Sequence, residues 1–469
     1  GLWPIAWIIL AAIFLYKLSV KSGHFEILKK SIMSITPDHR IQVILIGFCF
    51  GAFLEGAIGF GAPVAITAAL LMGLGLSPLY AAGLCMIANT APVAFGAVGI
   101  PIIALGKAVG VDPNLISAMI GHMLPPVTLF VPFFIVFLID GFKGVRETFL
   151  PVFIASVSFT LTQYFTSAFI GPELPDITSA LVSIAVTTTF LKFYKVKNVF
   201  RFDGALDFDK IEKIGFKATF KAWLPFIFLI ICIIAWALPA VKSALGALNL
   251  AFELPFLHNG VTEVAPIVTQ DKAVKAIYTW DIIKATGTAI LLAGVLTIIS
   301  LRLSRDVIFS AARETFREMG IPIITIGLVV AYASIAKNSG QAATMGLALA
   351  NTGGAFAFFS PVIGWMGVFL TGSDTSSNLL FGALQQVTAN QLGVHEVVFL
   401  AANTFGGVVG KMISPQSIAI ACAAVGLVGR ESELFKFTLK YSVGFVIIAG
   451  AITWSVVNLF PGVITSVLG

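Results

Sequence analysis

Three ionisable side chains, Glu55, Asp374 and Lys411, lie inside long apolar stretches, where an isolated charge is expensive and marks a functional candidate. Glu55 ends the run Gly-Ala-Phe-Leu-Glu and precedes a glycine-rich break. Held protonated there by desolvation, it can release its proton when water arrives. Asp374 stands among Ser373, Thr375, Ser376 and Asn378, whose hydroxyls and amide can stabilise its anion. Either carboxyl group can carry a coupling proton. Lys411 follows Gly410 and is expected to be the counter-charge of a bound anion, with Ser414, Gln416 and Ser417 beyond it as polar lining. His122, just before Leu124-Pro125-Pro126, is a candidate proton shuttle. Blander roles compete with each assignment. Either acid can cap a helix or pair with Lys411, Lys411 can snorkel to an interface, and a lone histidine beside a kinked helix is more often structural.

The segments that must position these groups occur twice. Gly-Ala-Phe-Leu-Glu-Gly at 51–56 matches Gly-Val-Phe-Leu-Thr-Gly at 367–372, Ala88-Asn89-Thr90 matches Ala402-Asn403-Thr404, and Pro101 matches Pro415. Ser22-Gly23 aligns with Ser339-Gly340, so the unit is about a hundred residues long, as expected of paired transporter halves rather than a solenoid. The second copy keeps the small residues and changes the charged ones: Thr371 replaces Glu55, and Lys411 stands where the first copy has Ala97. Both copies are apolar throughout yet interrupted, at 56–63 and 89–92 in the first and at 372–378 and 403–407 in the second. Each is read as one re-entrant hairpin plus one interrupted span. Irregular backbone survives within a bilayer only when buried in protein or lining a wet cavity, so these breaks imply a cavity. Half-helices starting at breaks aim N–H groups and partial positive charge inward, which suits a carboxylate. Asn89, Thr90, Ser373, Thr375, Ser376, Asn378, Asn403 and Thr404 supply further donors, unless they serve only as caps and packing.

Composition fixes the environment. Of 469 residues, 58% are hydrophobic and only 11% charged, against about a quarter charged in soluble proteins. Apolar runs near 3–19, 124–139, 149–170, 177–195, 223–243, 282–301 and 441–463 approach the roughly 20 residues that cross ~30 Å of hydrocarbon. The chain is therefore an all-α polytopic membrane protein. The net charge of +6 does not point to nucleic acid, because the basic residues cluster in loops beside apolar spans, where they orient the chain in lipid. Loops carrying Lys17 to Arg40, Lys143 and Arg146, Lys192 to Lys221, Arg302 to Arg317 and Arg430 to Lys440 read as cytoplasmic; Glu173, Asp176 and 253–281 read as external. The first copy's opening helix precedes a basic loop, whereas the loop near Ser339-Gly340 carries only Lys337, so the copies are expected to be inverted repeats. Three parts follow. Residues 1–140 form the first repeat, 141–301 are connecting helices with a cytoplasmic loop at 192–222 and an external loop at 246–281, and 302–469 form the second repeat. Amphipathic stretches at 25–35 and 307–319 read as interfacial or connector helices. Lys107, Asp112, Asp140 and Lys337 are expected to be solvated. The four cysteines lie in apolar segments without metal-type spacing, so neither disulfides nor a metal site is expected, and no phosphate-loop motif supports ATP-driven pumping. Gly1 falls inside an apolar run with no basic flank and is read as a truncated start, not a signal peptide.

The motifs at 47–67, 88–96, 169–176, 371–378 and 410–419, among them Gly-Ala-Ile-Gly-Phe-Gly-Ala-Pro-Val-Ala-Ile-Thr, Thr-Gly-Ser-Asp-Thr-Ser-Ser-Asn and Gly-Lys-Met-Ile-Ser-Pro-Gln-Ser-Ile-Ala, strongly resemble the bacterial lactate permease family along nearly the whole chain. The resemblance implies import of L-lactate, with D-lactate and glycolate, together with a proton and without any cofactor, across the bacterial cytoplasmic membrane by a multi-pass protein surrounded by lipid. Members extend further before the equivalent of Gly1. Residue types alone leave a sodium-coupled monocarboxylate transporter and an anion channel open. An intramembrane enzyme is not expected, because no nucleophile–base pair is present.

Overall fold

Glycine and proline set where the helices stop, and their positions make the two halves of the chain run through the same sequence of elements. In a computed structural model describing residues 3, 5–59, 61–202, 214–246, 250–267 and 271–468, the first copy comprises α1 (Ile5–Lys21), α2 (His24–Met33), α3 (His39–Val43), a π-helical stretch (Ile44–Phe50) and α4 (Gly51–Ala57). It continues as α5 (Ala62–Gly73), α6 (Pro78–Ala88), α7 (Gly96–Val109), α8 (Pro113–Met123) and α9 (Pro125–Phe169). Connecting helices are α10 (Pro175–Phe193), α11 (Phe216–Ala237), α12 (Pro239–Gly246) and α13 (Thr286–Leu301). The second copy is α14 (Arg305–Asn338), α15 (Gln341–Ala350), α16 (Phe356–Thr371), α17 (Asp374–Gln391), α18 (Glu396–Gly410), α19 (Pro415–Val425) and α20 (Glu431–Asn458), before the short α21 (Gly462–Leu468). Among the described residues, eight helices are long and apolar enough to cross a membrane, or up to ten if two bent pairs each count as one span. The all-helical expectation holds for these segments. The loop near 250–280 adds two small antiparallel pairs, Leu250–Glu253 with Ile277–Trp280 and Thr262–Glu263 with Lys272–Ala273. Phe60 of the glycine-rich break, 203–213 of the basic loop, and 247–249 and 268–270 of the external loop fall outside the described residues.

Packing between the copies is reciprocal. The α5 helix lies against α19 while α7, the counterpart of α19, lies against α17, the counterpart of α5. Likewise α6 packs on α20 and α18 on α8. Such exchange of equivalent partners is what a two-fold relation generates.

Three of the four expected breaks are present, one between α4 and α5, one at 89–95 and one at 372–373. The fourth is displaced. Asn403-Thr404-Phe405-Gly406-Gly407 lies within unbroken α18, and the interruption falls at 411–414. The glycines of α18 serve close helix packing instead: a Cβ on Gly406 would collide with the Pro361 carbonyl, and one on Gly410 would stand 2.5 Å from the Trp365 carbonyl, both on α16. In the first copy the break is deeper. Ala97 and Val98 adopt φ of 45° and 58°, a region costing about 1–2 kcal/mol per non-glycine residue, so α7 becomes regular only after Gly99. Gly59, itself at φ 60°, admits this backbone, since a Cβ there would lie 2.9 Å from that of Ala97.

Arg40, expected in a solvated basic loop, is fully buried. Its guanidinium donates to Asp38 through both Nε (3.2 Å) and Nη2 (2.8 Å), through Nη1 to Asp140 and Glu147 (2.7 Å each), and to the Asn198 carbonyl at 2.8 Å. Five planar donors can satisfy four acceptor groups at once, which an ammonium cannot, and that is why a charge survives inside. The hub ties the start of α3 to the Asp140–Gly141 kink of α9 and to the basic loop. Asp140, expected to be solvated, is a member of it. The stretch 307–319 is no separate connector but the first part of the 34-residue α14, which Lys17 of α1 anchors through Glu314 (3.4 Å) and Glu318 (2.6 Å).

Two stability predictions follow from these contacts. Arg40→Gln leaves the buried Asp38 carboxylate without its partner and is expected to cost about 3–5 kcal/mol, with Arg40→Lys recovering only part. Gly406→Val overpacks the α16–α18 contact and is expected to cost about 1–3 kcal/mol or prevent folding. Thermal unfolding of detergent-purified variants measures both.

Candidate functional site

The interruptions meet around one cavity of about 290 Å³. The first copy contributes Glu55, Gly59, Val93, Ala97 and Pro101; the second contributes residues 371–376, Lys411 and Gln416. The remaining wall, Met319, Ile321, Pro322, Thr325 and Ile326, comes from α14, where sequence reasoning placed no site residue. Repeat-equivalent positions sit in the same lining, Glu55 with Thr371 and Ala97 with Lys411. The duplicated frame therefore brings an acid from one copy and a base from the other to one space.

Local rules explain the orientation of each group. Ser373 caps α17, its Oγ accepting the Ser376 N–H at 3.3 Å, and this leaves the Asp374 and Thr375 N–H groups of the first turn available to an anion. Ser414 caps α19 in the same manner, accepting the Ser417 N–H at 3.1 Å and donating its hydroxyl to Ser417 Oγ at 2.8 Å. Two helix N-termini thus open beside Lys411, and their partial positive charge adds to its ammonium. The ammonium donates to the Gly372 carbonyl at 2.8 Å, joining the breaks at 372–373 and 411–414. Among the described residues no hydrogen bond joins it to a carboxylate, and both Asp374 oxygens and Glu55 Oε2 are buried without a hydrogen-bond partner. Lys411 is nonetheless close enough to both acids to act on them electrostatically.

The remaining candidates separate from the cavity lining. Asn378, Asn403 and Thr404 form a buried network in which Asn378 Oδ1 accepts from Asn403 Nδ2 (2.9 Å) and Thr404 Oγ1 (3.1 Å). The Asn378 amide donates to the Pro101 carbonyl at 3.3 Å, so this network holds α17 and α18 against the α7 break. Thr90 donates its hydroxyl to the Ile87 carbonyl within its own turn. Asn89 lies near Glu55, but its Nδ2 closes no hydrogen bond. Ser417 is buried behind its cap. His122 lies apart, with Nδ1 2.8 Å from the Ala118 carbonyl and Nε2 3.1 Å from the Tyr164 hydroxyl. The carbonyl can only accept, so Nδ1 carries the proton and Nε2 accepts from tyrosine.

Asp176 reads from its sequence context as external. It is 1% exposed and opens α10, where the chain turns inward and packs on α4 at Gly56. Only its place within Pro-Asp, a helix-start signature following a loop, hinted at this.

A bundle of membrane helices, two sets of them interrupted around one cavity lined by acids, an ammonium and a helix N-terminus, defines a multi-pass membrane protein. A family model described as L-lactate permease matches residues 1–460, and the chain belongs to the L-lactate permease family. It is 53% identical to the L-lactate permease of Escherichia coli K12 over 464 residues, covering 97% of this chain and 84% of that protein. It is 50% identical to the glycolate permease GlcA of the same strain, covering 99% and 87%, and 47% identical to the L-lactate permease of Bacillus subtilis, covering 99% and 86%. Among solved structures, the Alcanivorax borkumensis YdaH transporter aligns with 96% of this chain and 85% of its own, at 14% identity and a TM-score of 0.46.

Removing the ammonium tests the cavity as an anion site. Lys411→Gln is expected to lose about 1.5–3 kcal/mol of binding to a small monocarboxylate, roughly 10- to 100-fold in Kd, by isothermal titration calorimetry.

Proposed function

We propose that this protein is a secondary active transporter importing L-lactate, with D-lactate and glycolate as further substrates, by proton symport across the bacterial cytoplasmic membrane. The observation that carries this reading is the joint presence in one cavity of Lys411, the α17 N-terminus and two carboxyl groups that Lys411 does not neutralise. The substrate carboxylate is assigned to Lys411 Nζ and the Asp374 and Thr375 N–H groups, its 2-hydroxyl to Thr371 or Ser376, and its methyl group to the Ile321–Ile326 side of the apolar wall. Naming of the relatives as lactate and glycolate permeases supports the substrate class. The proton travels on Glu55 or Asp374. One lactate with one proton is electroneutral, so the pH gradient drives import without opposition from the membrane potential.

The two copies act as inverted repeats. Reciprocal packing of α5 on α19 and α17 on α7 supports the two-fold relation, and the loop charges support the inversion. Movement of the interrupted helices past α14, which is ion-paired to α1, opens the cavity to each side in turn.

Reconstitution into liposomes with an imposed pH gradient, in sodium-free buffer, tests the reading. Wild-type protein is expected to accumulate lactate. Glu55→Gln and Asp374→Asn are each expected to abolish accumulation, with at least one retaining lactate exchange. Normal accumulation by both variants would contradict the proton assignment, and dependence of wild-type uptake on added sodium would replace the coupling ion.

A further inference from the structure

Behind Glu55, outside the cavity lining, lies a second set of buried polar groups. A side chain on Gly56 would place its Cβ 2.6 Å from that of Asp176, so the backbone of Glu55-Gly56 is pressed against this acid. Asp176 Oδ1 has one long contact, 3.5 Å from Gln163 Nε2, which donates also to the Ala91 carbonyl at 2.9 Å. Asp176 Oδ2 has no partner at all, and around the same backbone Glu55 Oε2 and Asn89 Nδ2 are likewise buried and unpartnered. Asp176 and Glu55, packed through the Glu55-Gly56 backbone and both buried, are costly to ionise together, and the less costly arrangement keeps a proton on one of them. Asp176 belongs to neither repeat copy and does not line the cavity, so contact with substrate does not account for it.

We propose that Asp176 is a second proton-carrying group, passing a proton to and from Glu55 directly or through one water, so that the acid of the cavity is reloaded from behind rather than through the substrate space. In each transfer the O–H bond on one carboxyl breaks as one forms on the other carboxylate, and no further reactant is required. The proposal rests on the symport reading above.

Other titratable groups on the packed elements are engaged elsewhere. Cys49 of the π-helical stretch contacts Ser183 Oγ at 3.4 Å, and Tyr164 of α9 is bonded to His122. Asp140 and Glu147 of α9 belong to the Arg40 hub, with Lys143 and Arg146 in the same stretch around the kink. Glu173, preceding α10, accepts from Thr286 at 3.2 Å. Lys411 acts on Glu55 from the opposite side of the cavity.

The test compares gradient-driven lactate accumulation with lactate counterflow at equal pH in liposomes, using Asp176→Asn. Gradient-driven uptake is expected to fall about 100-fold, the scale of a lost proton-transfer group, with counterflow at the wild-type rate. Equal accumulation by wild type and variant overturns the relay alone. Loss of counterflow in a folded variant overturns it too, because Asp176 then positions the site. Failure of wild type to accumulate lactate under the gradient refutes the symport reading itself. If the variant does not fold, infrared spectroscopy of Asp374→Asn protein carrying carbon-13-labelled aspartate and glutamate decides: a protonated-carboxyl C=O band at neutral pH that is perturbed when lactate binds supports the relay, and the absence of any protonated-carboxyl band overturns it.

Discussion

A peptide group without a hydrogen-bond partner costs several kcal/mol in hydrocarbon, so a membrane protein with four interrupted helices has few ways to arrange them. Here Gly59, Val93, residues 371–373 and Lys411, each at or beside an interruption, line one space, and the break at Lys411 is joined to the break at Gly372 by a hydrogen bond. Lys411 shows how tightly this is drawn, because its ammonium closes on the carbonyl freed at Gly372. The left-handed backbone at Ala97 and Val98 is the complementary sign, strain concentrated at a cavity wall and held in place by its surroundings.

Duplication explains how one frame acquires opposite charges. The α5–α19 and α17–α7 contacts pair segments that match in sequence mainly at their small residues. Divergence at matched positions then supplies function: Glu55 against Thr371, and Lys411 against Ala97. Asymmetry also enters through α14, whose apolar side chains close the cavity and whose acidic residues bind it to α1.

Much of this was legible in the residues. Intramembrane charge is rare enough that Glu55, Asp374 and Lys411 stand out, and Gly/Pro clusters locate three of the four breaks. The fourth was misplaced because glycine has two uses that look alike in sequence. Gly406 and Gly410 permit close approach of α16 rather than a turn, whereas Ser414-Pro415, a cap followed by a proline at the first helical position, marks the true restart. Arg40 was read in a cytoplasmic basic loop and Asp176 in an external one, because charge beside an apolar span ordinarily orients the chain in lipid. Their burial depends on partners far along the chain, Asp140 and Glu147 for one and Glu55-Gly56 for the other, and no local pattern encodes such meetings. The α14 wall was hidden for a related reason, since apolar residues facing a cavity and apolar residues facing lipid have the same composition.

The central claim is that a substrate carboxylate is held where the ammonium of Lys411 meets the α17 N-terminus. A structure with lactate bound measures this directly. The account predicts the lactate carboxylate within hydrogen-bond distance of Lys411 Nζ and of the Asp374 or Thr375 N–H, with the methyl group toward α14. Lactate bound elsewhere, with Lys411 still closed on Gly372 and the cavity empty, would contradict it.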